Sequence, residues 1–109
     1  MAPTPKKASF ELAAQYLKLA GHPARLQILH RLLEGEASVT ALQNHVRLTQ
    51  AMTSQHLKAL FISGILDRRR EGTFIYYRLS SDIGKPLTEC MAECSVLWSR
   101  GAGSRRPNT

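Results

Sequence analysis

The pattern of apolar residues changes period at Gly64, and this change constrains the fold more than any other feature. Before it, apolar residues recur every three or four positions, as in amphipathic helices. After it, the stretch ILDRRREGTFIYYRL (65–79) is rich in β-branched, aromatic and arginine residues around the pair EG. This stretch predicts two strands, at about 65–70 and 74–79, joined by a short glycine-containing turn. We therefore expect a mainly α chain with one β-hairpin.

Four segments before the hairpin have the spacing and end signals of helices. They cover about residues 10–20, 23–34, 39–46 and 49–63. Apolar residues nearly encircle the first helix, which predicts burial against more than one neighbour. Pro23 suits the first turn of the second helix, and Gly35 tolerates the left-handed conformation beyond its end. Ser38 or Thr40 can cap the third helix, and Thr49 can cap the fourth.

A fifth helix is predicted after the hairpin, at about 82–99, with Ser80 or Ser81 as its cap. Its apolar surface would come from Ile83, Leu87, Cys90, Met91, Cys94, Val96, Leu97 and Trp98. Residues 1–7 and 101–109 combine proline, glycine, polar and basic residues, so we expect flexible tails. No repeat interrupts residues 8–100, which are predicted to form one domain.

Charge and composition favour a polyanionic partner. The 109 residues include 15 Lys and Arg against 8 Asp and Glu, a net charge of +7. No apolar stretch approaches the ~18 residues of a membrane span, and the start MAPTPKKASF lacks a secretory signal. We therefore expect a cytoplasmic protein without a membrane partner. Phosphate-cradling glycine motifs, paired carboxylates and nucleophile signatures are also absent from the sequence, so we expect neither an enzyme nor an obligatory cofactor.

The third and fourth helices, followed by the cationic hairpin, have the order of a winged helix-turn-helix. The second helix of such a pair fits the major groove of DNA, and the hairpin, or wing, reaches flanking phosphates. In the fourth helix Leu57, Leu60 and Phe61 form an inward stripe with Leu48 and Ile65. The residues left outside are the predicted DNA contacts: Thr49, Gln50, Ala51, Ser54, Gln55, His56 and Lys58. Glutamine can pair with adenine, and serine can donate or accept.

Arginines of the hairpin are the strongest candidates for phosphate contacts. Alternate residues of a strand face opposite sides, so Arg68 and Arg70 share one face and Arg69 does not. At least one of these three is expected to serve packing or solubility. Arg68, Arg70 and Arg78 are the predicted phosphate contacts, with Lys58 and Arg47 as weaker candidates.

Several stretches of the sequence together resemble a known protein family. The stretches GHPARLQIL (21–29), SVTALQNHVRLTQAMTSQHLKAL (38–60), GIL (64–66) and RRREGTFIYYRL (68–79) are similar to the ArsR/SmtB family of bacterial transcription repressors. The resemblance covers about residues 10–98. It implies a homodimer joined through the first and last helices, a palindromic double-stranded DNA operator, and repression relieved by an inducer. The family's DNA-facing positions correspond to Thr49, Gln50, Ser54 and His56.

The residues that would sense an inducer differ from the family's best-known sites. VTALQNHV in the third helix has no cysteine, and the last helix has Asp82 but no histidine. Cys90 and Cys94 remain, four residues apart and so on one helical face, where both thiolates could bind one soft ion. Two ligands are too few for arsenite or zinc, so a third ligand or the other subunit's pair would be needed.

Three interpretations of Cys90 and Cys94 stay open. The first is binding of As(III) or another soft metal ion as inducer, and the second is a thiol switch driven by oxidation or reactive sulfur. In the third, both cysteines are only small hydrophobic residues of an interface and the regulator needs no ligand. His22, His30 and His45 form no ligand spacing and are expected to pack locally. An adaptor that binds proteins without DNA is the alternative from another class, against which the wing arginines argue.

Overall fold

Five helices and a small antiparallel sheet make up the computed structural model, which describes residue 4 and residues 6–94. The elements are α1 (Lys7–Ala20), α2 (Pro23–Leu32), β1 (Ala37–Ser38), α3 (Val39–Val46), α4 (Gln50–Ile62), β2 (Leu66–Glu71), β3 (Phe74–Leu79) and α5 (Gly84–Glu93). None of the helices in these residues is long and apolar enough to cross a membrane. The predicted C-terminal tail and the end of the predicted last helix, with Val96, Leu97 and Trp98, lie outside the described residues.

Local capping explains why α3 and α4 begin where the sequence predicts. Ser38 Oγ accepts a hydrogen bond from Ala41 N, and Thr49 Oγ1 accepts one from Met52 N, both at 3.1 Å. These side chains satisfy N–H groups that have no partner inside the helix. Arg47 ends α3 in the left-handed conformation, with φ 58°. Only residues 47–49 separate α3 from α4, and the left-handed Arg47 and the Thr49 cap define this tight connection.

The sheet has three strands in the order β1-β3-β2, so the prediction of a two-stranded hairpin was incomplete. β1 pairs antiparallel with β3, with Ala37 opposite Tyr77 and Ser38 opposite Tyr76. A two-residue strand is too short to show an alternating pattern, which is why the sequence does not reveal it. Because Ser38 also caps α3, β1 connects the start of α3 directly to the wing.

The core lies where α2, α3, α4 and the base of the sheet meet. Its fully buried side chains are Ile28, Leu29, Leu42, Leu57, Leu60, Ile65 and Leu66. α1 contributes little to it. It starts three residues before the predicted position, and Ala20 is its one buried residue, whereas Phe10, Leu12 and Leu17 are 62%, 50% and 56% exposed. The predicted burial of α1 against several neighbours is therefore not achieved within a single chain.

A tight joint links the start of α5 to the end of α4. Ser80 Oγ accepts from Gly84 N at 2.8 Å and donates to Gly64 O at 2.6 Å. Gly84 lies so close to Ile65 that a Cβ atom there would be 1.9 Å from Ile65 O. Ile83, not a serine, is the N-cap of α5, so the predicted cap was wrong in position. Ser80 nevertheless satisfies the first N–H group of the helix.

Candidate nucleic-acid interface

One side of α4 is polar and exposed. Gln50, Ala51, Ser54, Gln55 and Lys58 are all exposed and, at 3.6 residues per turn, fall within an arc of about 140°. The opposite side is in the core. Short amide and hydroxyl side chains on a surface of this width match what major-groove readout uses. The structure therefore brings together five of the seven residues predicted on this helix.

The other two predicted residues of α4 have further roles. Thr49 Oγ1 accepts the capping hydrogen bond from Met52 N, so its hydroxyl retains its donor and one lone pair for another contact. His56 is half-buried and lies about 100° beyond Gln55 around the helix, so it is outside the exposed arc in which it was predicted. Its Nδ1 accepts from Arg25 Nε at 3.1 Å, and its ring centroid is 4.5 Å from that of His22. Burial lowers the pKa of His56, and the charges of His22 and Arg25 lower it further.

The strand register divides the predicted phosphate contacts between two faces of the sheet. Arg68 lies opposite Tyr77 and Arg70 opposite Ile75, so these residues share one face. Arg78 lies opposite Asp67, and Arg69 opposite Tyr76, on the other face. The sequence correctly separates Arg69 from its neighbours. It cannot place Arg78, because that requires the pairing between strands.

Partners within the chain distinguish the arginines further. The Arg69 guanidinium holds Glu36 through Nε–Oε2 and Nη2–Oε1 contacts of 2.8 and 2.7 Å, and Glu71 at 2.6 Å. These bonds raise the pKa of Arg69 and lower that of Glu36. Arg68 stacks on the Phe61 ring at 4.1 Å, and Arg78 Nε is 3.8 Å from Asp67.

Arg70 is exposed and makes no ion pair or ring contact with the described residues. Lys58 on α4 is likewise exposed and has no ion pair there. Exposed cations without a carboxylate partner retain their full charge for phosphates. Among the predicted phosphate contacts, Arg70 and Lys58 thus have neither an ion pair nor a ring contact with the described residues, whereas Arg69 is held by Glu36 and Glu71.

The wing tip approaches the N-terminal half of α4. A cavity of about 160 Å³ lies between Gln50 and Ser54 of α4, Thr40 of α3, and Thr73 and Phe74 of the wing. Phe74 is 56% exposed, although it is a large aromatic residue. Sequence reasoning missed Phe74, whose position directly after the hairpin turn was the available signal. The polar arc of α4 and the wing therefore border one shared surface.

Both cysteines are exposed in the single chain. Cys90 lies on α5, but the helix ends at Glu93, and Cys94 is its C-cap with φ −81° and ψ 65°. The predicted regular helical face through both residues is therefore interrupted at Cys94. No group of three or more His, Cys, Asp or Glu side chains within residues 6–94 is arranged to hold a metal ion. One chain's described residues supply two thiols, without a third ligand.

A helix pair with a capped tight turn, a polar exposed second helix and a cationic hairpin define a winged helix-turn-helix DNA-binding domain. The family model for bacterial regulatory proteins of the arsR family matches residues 22–68. The biofilm growth-associated repressor of Agrobacterium fabrum is 39% identical over 89 residues, which are 82% of this chain and 75% of that protein. The chain belongs to the ArsR family, whose members are DNA-binding transcription regulators and not enzymes.

Other similar proteins include an activator as well as repressors. The transcriptional activator HlyU of Vibrio cholerae is 38% identical over 79 residues, 72% of this chain and 73% of that protein. A solved structure of HlyU from that organism has a TM-score of 0.76 at 34% identity, covering 81% of this chain and 96% of that one. A homodimeric winged helix-turn-helix DNA-binding domain from Mycobacterium bovis, at 28% identity and full coverage of both chains, has a TM-score of 0.72.

Proposed function

We propose that this protein is a homodimeric, sequence-specific repressor of transcription that leaves its operator when an inducer reacts with Cys90 and Cys94. The main support for DNA binding is the polar arc on α4. Helix α4 is therefore named the recognition helix. Its amide and hydroxyl side chains lie beside the wing, and Lys58 on the same helix has no ion pair among the described residues. A protein that binds chromosomal DNA in this way would work in the cytoplasm.

Base readout is assigned to Gln50, Ser54 and Gln55, and phosphate contacts to Arg70 and Lys58. Binding to the DNA upstream of the protein's own gene, measured across a salt titration, tests this assignment. Gln50→Ala should cost about 1–3 kcal/mol and relax the sequence preference, and Arg70→Ala should reduce the salt slope by about one. Arg69→Ala is the matched control, because its charge is held by Glu36 and Glu71. Equal affinity for operator and random duplex would instead support a protein-binding adaptor.

Self-association is supported by the exposed apolar side chains of α1. Phe10, Leu12 and Leu17 are each at least half exposed in the single chain, and such a surface favours burial against a partner. The similar domain from Mycobacterium bovis was solved as a homodimer. A two-fold axis would place two recognition helices about 34 Å apart, which corresponds to a palindromic operator. Light scattering of the full chain would give the mass of the assembly.

As(III) or another soft metal ion is the first candidate for the inducer. Exposed thiols at Cys90 and Cys94 suit soft ions, and a second subunit could supply the ligands that one chain lacks. A mobility-shift assay with arsenite, antimonite, zinc, cadmium and copper tests this proposal. Release by one of these ions should disappear in the variant Cys90→Ser with Cys94→Ser. Unchanged release in that variant would place the inducer site elsewhere.

A thiol switch is the second candidate, and the position of Cys94 favours it. Because the helix ends at Glu93, the Cys94 backbone is not held in helical geometry toward Cys90. In a reaction with hydrogen peroxide, two thiols would form one disulfide, and the peroxide would be reduced to two waters. HlyU of Vibrio cholerae has been solved in a form described as reduced. Release by peroxide that dithiothreitol reverses would support this candidate over metal binding.

A further inference from the structure

Arg25 connects three helices through a single guanidinium group. It lies in the first turn of α2 and is half-buried. Its Nη1 donates to Leu19 O in the last turn of α1 at 3.0 Å, and its Nε donates to His56 Nδ1 at 3.1 Å. His56 is on the recognition helix, 31 positions along the chain. The first turn of α2 is thereby tied directly to a side chain on the flank of the recognition helix that faces α2.

This hydrogen bond determines which nitrogen of His56 carries the proton. An arginine stays protonated in proteins and can only donate, so His56 Nδ1 must be an unprotonated acceptor. The neutral ring then carries its hydrogen on Nε2, which points away from Arg25. No atom of the described residues accepts that hydrogen. His56 therefore presents a donor without an acceptor of its own.

The surroundings of His56 show where this donor could be used. His56 lines an open cavity of about 440 Å³ together with Met52 and Gln55 of the recognition helix and His22 of the preceding turn. The cavity is on the flank of the helix away from the wing, whose own cavity borders Gln50 and Ser54. His22 Nδ1 accepts from Ala24 N at 3.1 Å, so a neutral His22 also carries its hydrogen on Nε2. Two imidazole donors thus border one cavity.

We propose that Arg25 is a positioning residue that fixes His56 as a hydrogen-bond donor to an acceptor atom of DNA. This inference rests on the proposed DNA binding, in which His56 is already a predicted contact, and adds Arg25 as the residue that sets its hydrogen-bonding state. The chemistry requires an acceptor, either a phosphate oxygen or a base atom such as guanine N7 or O6. A base edge that offers only donors, such as cytosine N4, is excluded at this position.

A double-mutant cycle tests whether Arg25 acts through His56. The full-length protein and its Arg25→Ala, His56→Ala and doubly substituted variants are titrated with the DNA upstream of its gene. Each single change should weaken binding about tenfold, and the double variant should be no weaker than the weaker single variant. Losses that multiply to about a hundredfold would overturn the proposal, since Arg25 would then act independently. Arg31→Ala, on the same helix and paired with Glu34, is the control and should bind normally.

Loss of the Arg25 bond to Leu19 could also disturb α1, so a second measurement addresses His56 itself. Nitrogen-15 NMR of the histidine side chains reports the tautomer directly. The unaltered protein should show His56 with its hydrogen only on Nε2, and Arg25→Ala should show a mixture of both tautomers. Arg25→Met, which keeps the aliphatic stem but has no N–H donor, serves if the alanine variant does not fold. A His56 tautomer unaffected by either change would leave Arg25 a merely structural role and reject the proposal.

Modified DNA distinguishes the two possible acceptors. Methylphosphonates in place of single phosphates should remove the effect of His56→Ala if the acceptor is a phosphate oxygen. Substitution of guanine by 7-deazaguanine should remove it if the acceptor is N7. A third outcome is that His56→Ala weakens binding equally on both modified duplexes and on every duplex that lacks another single acceptor atom. In that case His56 does not donate to DNA and the proposal fails. Absence of DNA binding by the unaltered protein would instead reject the proposed function itself.

Discussion

Gly84→Ala should destabilise the protein strongly, because the start of α5 lies against the backbone at Ile65. The new Cβ would be 1.9 Å from Ile65 O and 3.1 Å from the carbonyl carbon. A relaxed carbon–oxygen contact needs about 3.3 Å, so α5 must move away by about 1.4 Å. That movement also breaks the hydrogen bond from Gly84 N to Ser80 Oγ, which measures 2.8 Å.

The magnitude follows from three contributions. Overpacking of a tight contact costs about 1–3 kcal/mol, and loss of the hydrogen bond about 0.5–1.5 kcal/mol. The higher helix propensity of alanine returns up to about 1 kcal/mol. The net loss in free energy of unfolding is therefore about 2 kcal/mol. For a domain of this size, that corresponds to a fall in Tm of roughly 8–16 °C.

Thermal unfolding followed by circular dichroism measures this loss, at one fixed protein concentration because an associating protein has a concentration-dependent Tm. Lys85→Ala is the matched control, since Lys85 is the next residue, is exposed, and should shift stability by less than about 0.5 kcal/mol. A Gly84→Ala variant with the Tm of the Lys85→Ala variant would refute the reasoning. The close approach of α5 to Ile65 would then carry no energetic consequence.

Three further changes test other features. Ser80→Ala removes the buried hydroxyl at the same joint and should lower the free energy of urea unfolding by about 1–3 kcal/mol. The hydrogen bond from Arg69 lowers the pKa of Glu36 in the folded protein. The bond therefore stabilises the fold at pH values above the pKa of Glu36 in the unfolded chain, and this stabilisation is lost as the pH falls through the pKa of Glu36 in the folded protein. Arg69→Ala should raise the titration midpoint of Glu36 measured by NMR. Leu17→Asp should weaken self-association about tenfold or more in sedimentation experiments, because a carboxylate would be desolvated on burial.

Each of these changes has a neighbour that serves as its control. Ser81→Ala alters an exposed hydroxyl and should leave the urea midpoint unchanged. Arg70→Ala removes an arginine from the opposite face of the wing and should not move the titration of Glu36. Lys18→Ala, at an exposed position of α1, should leave the assembly intact. The respective reasoning is wrong if the control and the test variant behave alike.

Features set by neighbouring residues could be predicted from the sequence. α3 and α4 start as predicted because Ser38 and Thr49 cap them within three residues. The hairpin is visible from its composition and from Gly72, which adopts a positive φ of 62° at the turn. The family follows from the same stretches, and its assignment is confirmed by the comparisons. In each case the determining contacts are local in the chain.

Features set by distant contacts could not be predicted. The hydrogen bond between His56 and Arg25 joins residues 31 positions apart, and no pattern within α4 indicates it. Arg78 is on the face opposite Arg68 because of strand register, and β1 is defined only by its pairing with β3. The pairing of Arg69 with Glu36 joins residues 33 positions apart. The assignments of DNA contacts and of the cysteines to an inducer stay predictions.

The poor coverage of α1 by its own chain links helix formation to assembly. An isolated helix of 14 residues is marginal in water, and within the single chain α1 buries only Ala20. Its helical content should therefore increase when a partner covers Phe10 and Leu17. Dilution would then unwind the N-terminal segment before the recognition helix loses its structure, and limited proteolysis would cut there first. The fraction of chains in which α1 is helical would therefore report the fraction of chains that are in dimers.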